Sequence, residues 1–471
     1  MKKIVHNSFF IILLLSLLFS KNLTFHDFDN PSASHILDAE IPNDNQNLLI
    51  VSGMLGGIEF YDISNPQVLN HLDNLQLSGG GGQGGGGGTK PNCIVAYGEY
   101  AYVTTNRGLG VINIVNPNNP QYLGILMGTD NYILENLDIS EYNNLLAVAA
   151  HEDGVLIYDL SNPSNPDYLT TIETENSWTV NLDENILYIA DEQILKMYLI
   201  NDNFSYFNSI EMSNAIKDIA INNNVLYVAI GSDGVAAYEI EPDFNISLIG
   251  VYDTSTMANR LAPLDYEFGH KVAVSDWDDV EVLEIGFDDD IELVGYKNTT
   301  RRTMAIAVKN NYIYSAEWNS VQIFEYGEID GPDLDLSIYE LNYPYVENGQ
   351  SYTMSLNVIN NGNQILNIVD AYTTNNEFSY SELNNLNPGE SQTVDIIYNA
   401  NSNNSSGSYR IFSNDNDESE VICETNGNID GANIGDIAPD FNLDILANGL
   451  GTFQLSDYID KIVVLAFFAP N

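Results

Sequence analysis

Apolar and polar residues alternate with a period of two through the first two thirds of the chain, in short runs that end at turn residues. The clearest run is GVLIYDLSNPSNPDYL, at 154–169. Its first half alternates as a half-buried strand requires. The two Asn-Pro steps then end the strand, because proline has no N–H for a ladder and moves the preceding residue away from helical geometry. The pattern predicts a strand, a turn and the start of a second strand.

The same run recurs along the chain with the spacing of a repeat protein. Copies with Asn-Pro steps begin at Gly57 and Gly108, and weaker copies begin around Ile194, Gly234, Asp279 and Ser320. A period near 40 residues with several strands per unit is typical of a β-propeller, whose blades are four-stranded sheets. Seven copies therefore predict a seven-bladed propeller over 21–330, with the repeats in 34–330.

The third repeat shows the predicted plan of one blade, with strands at 134–140, 145–150, 155–160 and 168–172. The turns between first and second strands carry asparagine, which tolerates left-handed backbone; they lie at 143–144, 222–224 and 310–311. No clear fourth strand follows Tyr326 in the last repeat. The segment 22–28 is predicted to supply it and close the ring, since open sheet edges invite aggregation.

Three other segments depart from this pattern. The run GGGGQGGGGG at 79–88 predicts a flexible loop, and no Lys-Ser/Thr pair or helix follows it as a phosphate loop requires. After Gly331-Pro332, short alternating strands separated by Asn and Gly turns predict an immunoglobulin-like β-sandwich over 331–428. The first 20 residues combine two lysines with an apolar stretch too short to span a bilayer, which predicts a signal peptide at 1–20.

Composition narrows the classes of partner. The chain has 66 acidic and 15 basic residues, a formal net charge of -51. This charge repels phosphate backbones, excludes nucleic acid as a partner and favours divalent cations or basic partners. No further segment is apolar enough to predict a membrane span.

The residue types of common catalytic and metal sites are sparse. Cys93 and Cys423 fall in different predicted domains, so no disulfide is expected. The six histidines lack metal-ligand spacing, and there is no Gly-x-Ser-x-Gly elbow. The acidic run 414–418 lacks the glycine and distal glutamate of an EF-hand and is interpreted as a solvated turn. No catalytic residue, metal site or cofactor is predicted.

Three stretches resemble known families. GVLIYDLSNPSNPDYL and its copies resemble the LVIVD repeat of bacterial surface and exported proteins, which implies a β-propeller and an interaction platform but no reaction. NPGESQTV and IFSNDNDES, within 331–428, resemble Hydin-type immunoglobulin-like modules. IGDIAPDFNL and LSDYIDKIVVLAFFAPN, within 434–471, resemble the start of redoxins, the thioredoxin-like family of alkyl hydroperoxide reductase and thiol-specific antioxidant proteins.

The redoxin resemblance leaves two functions open. Asp460 stands where the family usually has glycine, and the sequence ends at 469–471, where the family continues into its reactive cysteine. One interpretation is an exported, non-catalytic binding scaffold, located in the bacterial periplasm, on the cell surface or outside the cell. The alternative is a fragment of an exported thiol–disulfide oxidoreductase or peroxidase whose catalytic cysteine lies beyond Asn471.

Alignment of the sixth and seventh repeats predicts one binding site. The sixth and seventh repeats align without gaps at KVAVSDWDDVEVLE and YIYSAEWNSVQIFE, so Trp277 and Trp318 are equivalent residues of neighbouring loops. The same offset pairs Arg260 with Arg301, beside Arg302. Indoles stack on sugars or aromatic groups, and guanidinium groups bind anions bidentately, so these five residues predict a groove for a protein or polysaccharide ligand. Repeat ancestry alone also produces such pairs, and the arginines equally suit neutralisation of neighbouring carboxylates.

Overall fold

The computed structural model describes residues 22–77, 89–130, 132–265, 268–286, 290–327, 329–401, 404–415, 418–428, 442–444 and 452–455. The one helix whose full extent lies among these residues is a single 3₁₀ turn at Ile200–Asp202, and nearly all other regular structure is strand. No helix of this part of the chain is long and apolar enough to cross a bilayer. The chain divides into two compact units, Met1–Ile329 and Asp330–Asn471.

The first described element of this unit is strand β1 (Leu23–Asp29), followed by consecutive four-stranded antiparallel sheets. The first sheet is β2 (Ser34–Glu40), β3 (Leu48–Leu55), β4 (Gly57–Asp62) and β5 (Asn70–Leu75). The second is β6 (Pro91–Tyr97), β7 (Tyr100–Thr105), β8 (Gly108–Asn113) and β9 (Gln121–Ile125). The third is β10 (Leu137–Ser140), β11 (Leu145–Ala149), β12 (Val155–Asp159) and β13 (Asp167–Ile172).

Two more four-stranded sheets and a larger one complete the described part of this unit. The fourth is β14 (Ser177–Leu182), β15 (Ile186–Asp191), β16 (Ile194–Leu199) and β17 (Ser205–Glu211). The fifth is β18 (Asp218–Asn222), β19 (Val225–Ala229), β20 (Val235–Ile240) and β21 (Ile246–Tyr252). A six-stranded sheet contains β22 (Ala258–Pro263), β23 (Lys271–Ile285), β24 (Ile291–Lys309), β25 (Tyr312–Glu317) and β26 (Ser320–Tyr326), with β1 beside β26.

Each of the two long strands of the six-stranded sheet pairs with one neighbouring strand along its first part and with another along its second part. β23 folds back on itself, because the N–H of Ile285 donates to the carbonyl of His270 at 3.1 Å, and Trp277 lies near the bend with a left-handed φ of 51°. The first part of β24 pairs with β23 as far as Asn298, and the part from Thr303 onward pairs with β25. The sheet thus contains two successive repeats joined through one continuous strand.

Neighbouring sheets share hydrophobic cores. Ile50 and Phe60 of the first sheet pack with Val103 of the second, and corresponding clusters join each later sheet to the next. A further cluster brings Val51 of the first sheet together with Ile323 of β26. Alternating apolar residues on both faces of each sheet are therefore buried against two neighbours.

Buried tyrosines link one sheet to the Asn-Pro turn of another. The Tyr102 hydroxyl donates to the carbonyl of Pro163 at 2.7 Å, and the Tyr314 hydroxyl donates to the carbonyl of Pro66 at 3.1 Å. Both side chains are fully buried. A buried hydroxyl needs a partner, and the turn supplies one.

The glycine that begins or directly precedes the third strand of a repeat is required by close approach to the fourth strand. Gly57, Gly154 and Gly234 have φ values of 94°, 87° and 81°. A Cβ at Gly154 would lie 2.3 Å from the carbonyl oxygen of Ile172, and the same clash exists at Gly57 and Gly234. Glycine alone adopts this backbone without strain and leaves room for that carbonyl.

Several predictions for this unit are confirmed. The third repeat has the four expected strands, although β10 begins at Leu137, three residues later than predicted. Asn144, Asn223 and Asn310 are left-handed, as expected for these turns. β1 pairs with β26 in antiparallel register, so the N-terminal segment does supply a strand beside the last repeat.

The second unit contains two facing sheets with one core. One sheet is β27 (Leu334–Leu336), β29 (Ser351–Asn360), β32 (Ser391–Asn399) and β31 (Phe378–Tyr380). The other is β28 (Glu340–Asn342), β34 (Glu420–Gly427), β33 (Ser405–Ser413) and β30 (Ile368–Thr373). Residues of both sheets form a single hydrophobic cluster that includes Tyr343, Tyr398 and Tyr409.

Part of the C-terminal segment 434–471 forms a short hairpin. β35 (Asn442–Asp444) pairs with β36 (Thr452–Gln454) inside the segment that resembles redoxins. The rest of 434–471, the predicted signal peptide at 1–20 and the glycine run at 79–88 lie outside the described residues.

Replacing Gly154 with alanine should destabilise the first unit by about 2 kcal/mol, because it adds both a left-handed alanine and a backbone clash. We expect the thermal midpoint to fall by about 4 °C. Gly124→Ala is the matched control, since Gly124 has a φ of 120° but its Cβ would meet nothing within 4 Å. Equal losses in the two variants would contradict the role assigned to the carbonyl of Ile172.

Candidate functional site

The first strands of the repeats surround one channel in the first unit. A cavity of about 340 Å³ is lined by residues of β2, β6, β10, β14, β18, β22 and the second part of β24. We call these the inner strands. Each has a hydrogen-bonded neighbour on one side only, so alternate backbone N–H groups point away from their own sheet and need another acceptor.

Carboxylates of the inner strands accept hydrogen bonds from these N–H groups on the following sheet. Asp38 Oδ2 accepts from Ile94 N at 2.8 Å, Asp138 Oδ2 from Leu182 N at 2.6 Å, and Asp218 Oδ2 from Leu261 N at 2.8 Å. Glu40 Oε1 also accepts from Ala96 N at 3.1 Å. The same bond therefore joins three pairs of neighbouring sheets across the channel wall.

Enclosure in the channel changes the acidity of these carboxyl groups. Burial raises the pKa of Asp38 to about 6, of Glu40 to about 8 and of Asp138 to about 7. Burial also raises the pKa of Asp218, although the Arg260 guanidinium opposes that shift. The backbone N–H donors favour the charged forms, but they do not compensate for lost hydration.

Arg260 lies in this channel, away from the other residues of the predicted groove. Its Nη2 is 2.8 Å from Cys93 Sγ and its Nη1 is 3.8 Å from Asp218 Oδ1. Burial alone would lower the pKa of Arg260, but the surrounding carboxylates, Asp218 first, raise it. Burial raises the pKa of the Cys93 thiol well above its usual range. The channel thus holds a permanent cation beside a neutral thiol.

The channel opens into a funnel at the N-terminal ends of the inner strands. This cavity of about 550 Å³ is mostly apolar, with Leu37, Met54, Tyr132, Ile133, Trp178, Met257 and Met304 in its wall. Ile133 is 73% exposed although it is large and apolar. A concave apolar surface with a few convergent polar groups is the usual form of a ligand site.

The polar groups of the funnel are mainly donors. Lys90, Lys217 and Arg260 line it together with one acid, Glu135. Lys217 Nζ lies 4.9 Å from the centre of the Trp178 ring, and buried Asn259 Nδ2 has no hydrogen-bond partner among the described residues. In a chain with a net charge of -51, this funnel offers positive charge and an unused N–H donor.

The structure brings together three of the five residues of the predicted groove, Trp277, Trp318 and Arg302. Arg302 Cζ lies 5.1 Å from the ring centre of Trp277 and 5.6 Å from that of Trp318. The Trp318 ring is also 4.3 Å from the ring of His35. Both indoles are half-buried and Arg302 is exposed. We call these three residues the tryptophan–arginine group.

The predicted pairing of Arg260 with Arg301 is wrong. Asp276 and Glu317 occupy the same position of the two aligned repeats. In the strand register Ala258 faces Asp276 and Thr303 faces Glu317, so Thr303 is the equivalent of Ala258. Two residues further along, the equivalent of Arg260 is therefore Ala305. Four extra residues in the seventh repeat move Arg301 out of the paired strand. Arg301 Nη1 instead donates to Asn319 Oδ1 at 2.8 Å and to Asn30 Oδ1 at 3.3 Å.

Sequence reasoning missed the funnel residues. Trp178, Lys217 and Glu135 lie in or before inner strands of three different repeats and share no motif. The available signal was the aspartate at 38, 138 and 218, which is followed each time by an apolar residue of an inner strand. If the inner strands are aligned on this aspartate, the residues that precede it in each repeat lie at the same opening of the channel.

Comparison with known proteins supports the repeat and the fold. Residues 90–127, 137–174 and 300–324 match the LVIVD repeat, so the chain carries this propeller-type repeat. No curated protein matches the chain. A solved structure described as "Structure of U3-55K" is similar with a TM-score of 0.53 at 12% identity, covering 64% of this chain and 98% of that chain. At this identity the likeness concerns the all-β, propeller-like fold alone.

The channel carboxylates predict how stability depends on pH. Their pKa values are higher in the folded chain than in the unfolded chain, so their contribution is fully favourable below about pH 4 and is lost as pH rises through about 6 to 8. We expect the thermal midpoint at constant ionic strength to fall between pH 5 and pH 8.

Asp138→Asn combined with Glu40→Gln should flatten the dependence of the thermal midpoint on pH, because amides do not titrate in this range. Both amides can still accept the backbone N–H, so the hydrogen bonds are kept. Asp159→Asn is the control, since hydrogen bonds from Ser161 lower the pKa of Asp159, which is solvated. A thermal midpoint that rises with pH would contradict the raised pKa values of the channel carboxyls. So would a pH dependence of the midpoint that the double substitution leaves unchanged.

Proposed function

We propose that the chain is a non-catalytic binding scaffold whose first unit binds an amphipathic anion in the funnel. The observation that carries the proposal is the pairing of an apolar cavity of about 550 Å³ with Lys90, Lys217 and Arg260 on a strongly acidic protein. An apolar group would pack against Trp178 and the methionines. Its anionic end would accept hydrogen bonds from the two ammonium groups.

The scaffold of this proposal is a closed seven-bladed propeller over 21–330. Counting the two repeats of the six-stranded sheet separately gives seven units. The core shared by Val51 and Ile323 and the hydrogen bond from Tyr314 to Pro66 link the last unit to the first. Pairing of β1 with β26 fits the closure expected from sequence.

The tryptophan–arginine group is a second proposed contact surface, for a protein or polysaccharide. The Arg302 guanidinium lies over both indoles. Its cation–π contacts cover ring surface that a sugar would need for stacking. Its N–H edge remains suited to a carboxylate or sulfate, and Arg301 is the neighbouring donor. We therefore propose recognition of an anionic group here, with the indoles fixing Arg302.

The remaining assignments follow from the sequence. We propose export by the signal peptide at 1–20, an immunoglobulin-like sandwich of the Hydin type at 331–428, and a redoxin start at 434–471. The thiol oxidoreductase alternative requires a cysteine other than Cys93 and Cys423. Both are free and buried, and burial raises the pKa of each thiol, opposite to what a reactive thiolate requires. Reading the coding sequence past Asn471 for a reactive cysteine tests that alternative.

Titration with anilinonaphthalene sulfonate, an aromatic anion whose fluorescence rises on binding, tests the funnel. We expect saturable binding that Lys90→Ala with Lys217→Ala weakens at least about tenfold, because two charged donors are lost. Trp277→Ala with Trp318→Ala is the comparison variant and should bind this probe as the parent does. Unchanged affinity in the lysine variant would contradict the funnel; a loss confined to the tryptophan variant would move the site to the tryptophan–arginine group.

A further inference from the structure

Three carboxylates of β23 converge beside the bend at Trp277. Asp276, Asp279 and Glu281 each place an oxygen within 4.8 Å of the other two. Their side chains belong to residues that are 0%, 1% and 1% exposed. Burying three like charges at this separation is strongly unfavourable unless a cation or protons neutralise them.

The donors that surround this carboxylate cluster are neutral. Thr254 Oγ1 donates to Asp276 Oδ1 at 2.9 Å, and Ser255 Oγ lies 2.9 Å from Asp276 Oδ2 and 2.7 Å from Asp279 Oδ2. Ser255 N donates to Glu281 Oε1 at 3.2 Å. These bonds occupy both oxygens of Asp276 but only one oxygen each of Asp279 and Glu281, and they leave the net charge of the cluster unchanged.

The other oxygens are unsatisfied. Asp279 Oδ1 and Glu281 Oε2 are buried and have no hydrogen-bond partner within the part of the chain that the structure describes. Burial, and then the neighbouring carboxylates, raise the pKa of Asp279 well above its usual range and that of Glu281 to about 8. Orphaned buried acceptors in an all-oxygen cluster are suited to coordinate a cation.

We propose that Asp276, Asp279 and Glu281 form a calcium site. Calcium takes six to eight oxygen ligands at about 2.3–2.6 Å in flexible geometry, so oxygens on opposite sides of one ion lie at most about 5 Å apart. The observed separations fit that limit. Zinc prefers nitrogen and sulfur ligands, and magnesium demands near-ideal octahedral geometry. The ion would join β23 to the segment 254–256 that precedes β22, and so hold the bend that carries Trp277.

Isothermal titration of the full chain with calcium chloride, in buffer with sodium chloride and excess magnesium to suppress weak surface binding, tests the site. We expect one specific calcium ion per chain. At about 1 mM calcium the thermal midpoint should rise by about 3 °C or more. Terbium should replace calcium and show luminescence excited through tryptophan, because Trp277 is adjacent to Asp276.

Asp279→Asn and Glu281→Gln are the test variants, since each amide keeps the oxygen that accepts from Ser255. Both substitutions should abolish the heat of specific calcium binding and the calcium-dependent shift of the thermal midpoint. In a calcium chelator both should melt at or above the parent midpoint, because a buried charge has been removed. A purely structural role for the carboxylates predicts the opposite, with both variants melting below the parent in the chelator.

The control is Glu418→Gln, which alters a second group of acids (Asp333, Asp415 and Glu418) in the second unit. This variant should bind calcium at the first unit as the parent does. The proposal is overturned if the parent shows neither heat nor a midpoint shift with calcium. It is equally overturned if Asp279→Asn binds like the parent, or if Glu418→Gln alone abolishes binding.

Discussion

The first unit depends on a bond between an inner-strand carboxylate and a backbone N–H of the next sheet. The inner edge of each sheet would otherwise present unpaired N–H groups to the channel. Asp38, Asp138 and Asp218 supply the acceptor at three sheet junctions. The bond satisfies a buried donor and sets the spacing of neighbouring sheets, while the shared cores provide most of the apolar burial.

This solution lines the channel with carboxyl groups, whose negative charge grows as pH rises through about 6 to 8, and it determines what the channel can bind. Burial holds the pKa of these carboxyls above its usual range, and Arg260 is the cation that lies against Asp218. The positive groups of Lys90 and Lys217 lie at the funnel, beyond the acidic wall. An anion is therefore accommodated at the funnel and repelled further inside, which favours a ligand that stops at the opening.

The fold was predictable where a local pattern carried it. Alternation and Asn-Pro steps predicted the strands of the third repeat, and the spacing of Trp277 and Trp318 predicted that they lie in neighbouring loops, where Arg302 now lies over both rings. Arg260 was misassigned because a four-residue insertion before Thr303 changes the strand register without changing the surrounding pattern. The funnel could not be predicted from single motifs, since its residues come from separate repeats and meet only when the inner strands surround a channel.

Amide hydrogen exchange at Ile94, Leu182 and Leu261 tests the central bond most directly. Each N–H belongs to an inner strand and donates to a carboxylate of the preceding sheet, so all three should exchange as slowly as amides paired inside the sheets. Asp138→Ala should accelerate exchange at Leu182 while Ile94 and Leu261 stay protected. Rapid exchange of all three amides in the parent protein, or an unchanged rate at Leu182 in that variant, would contradict the account.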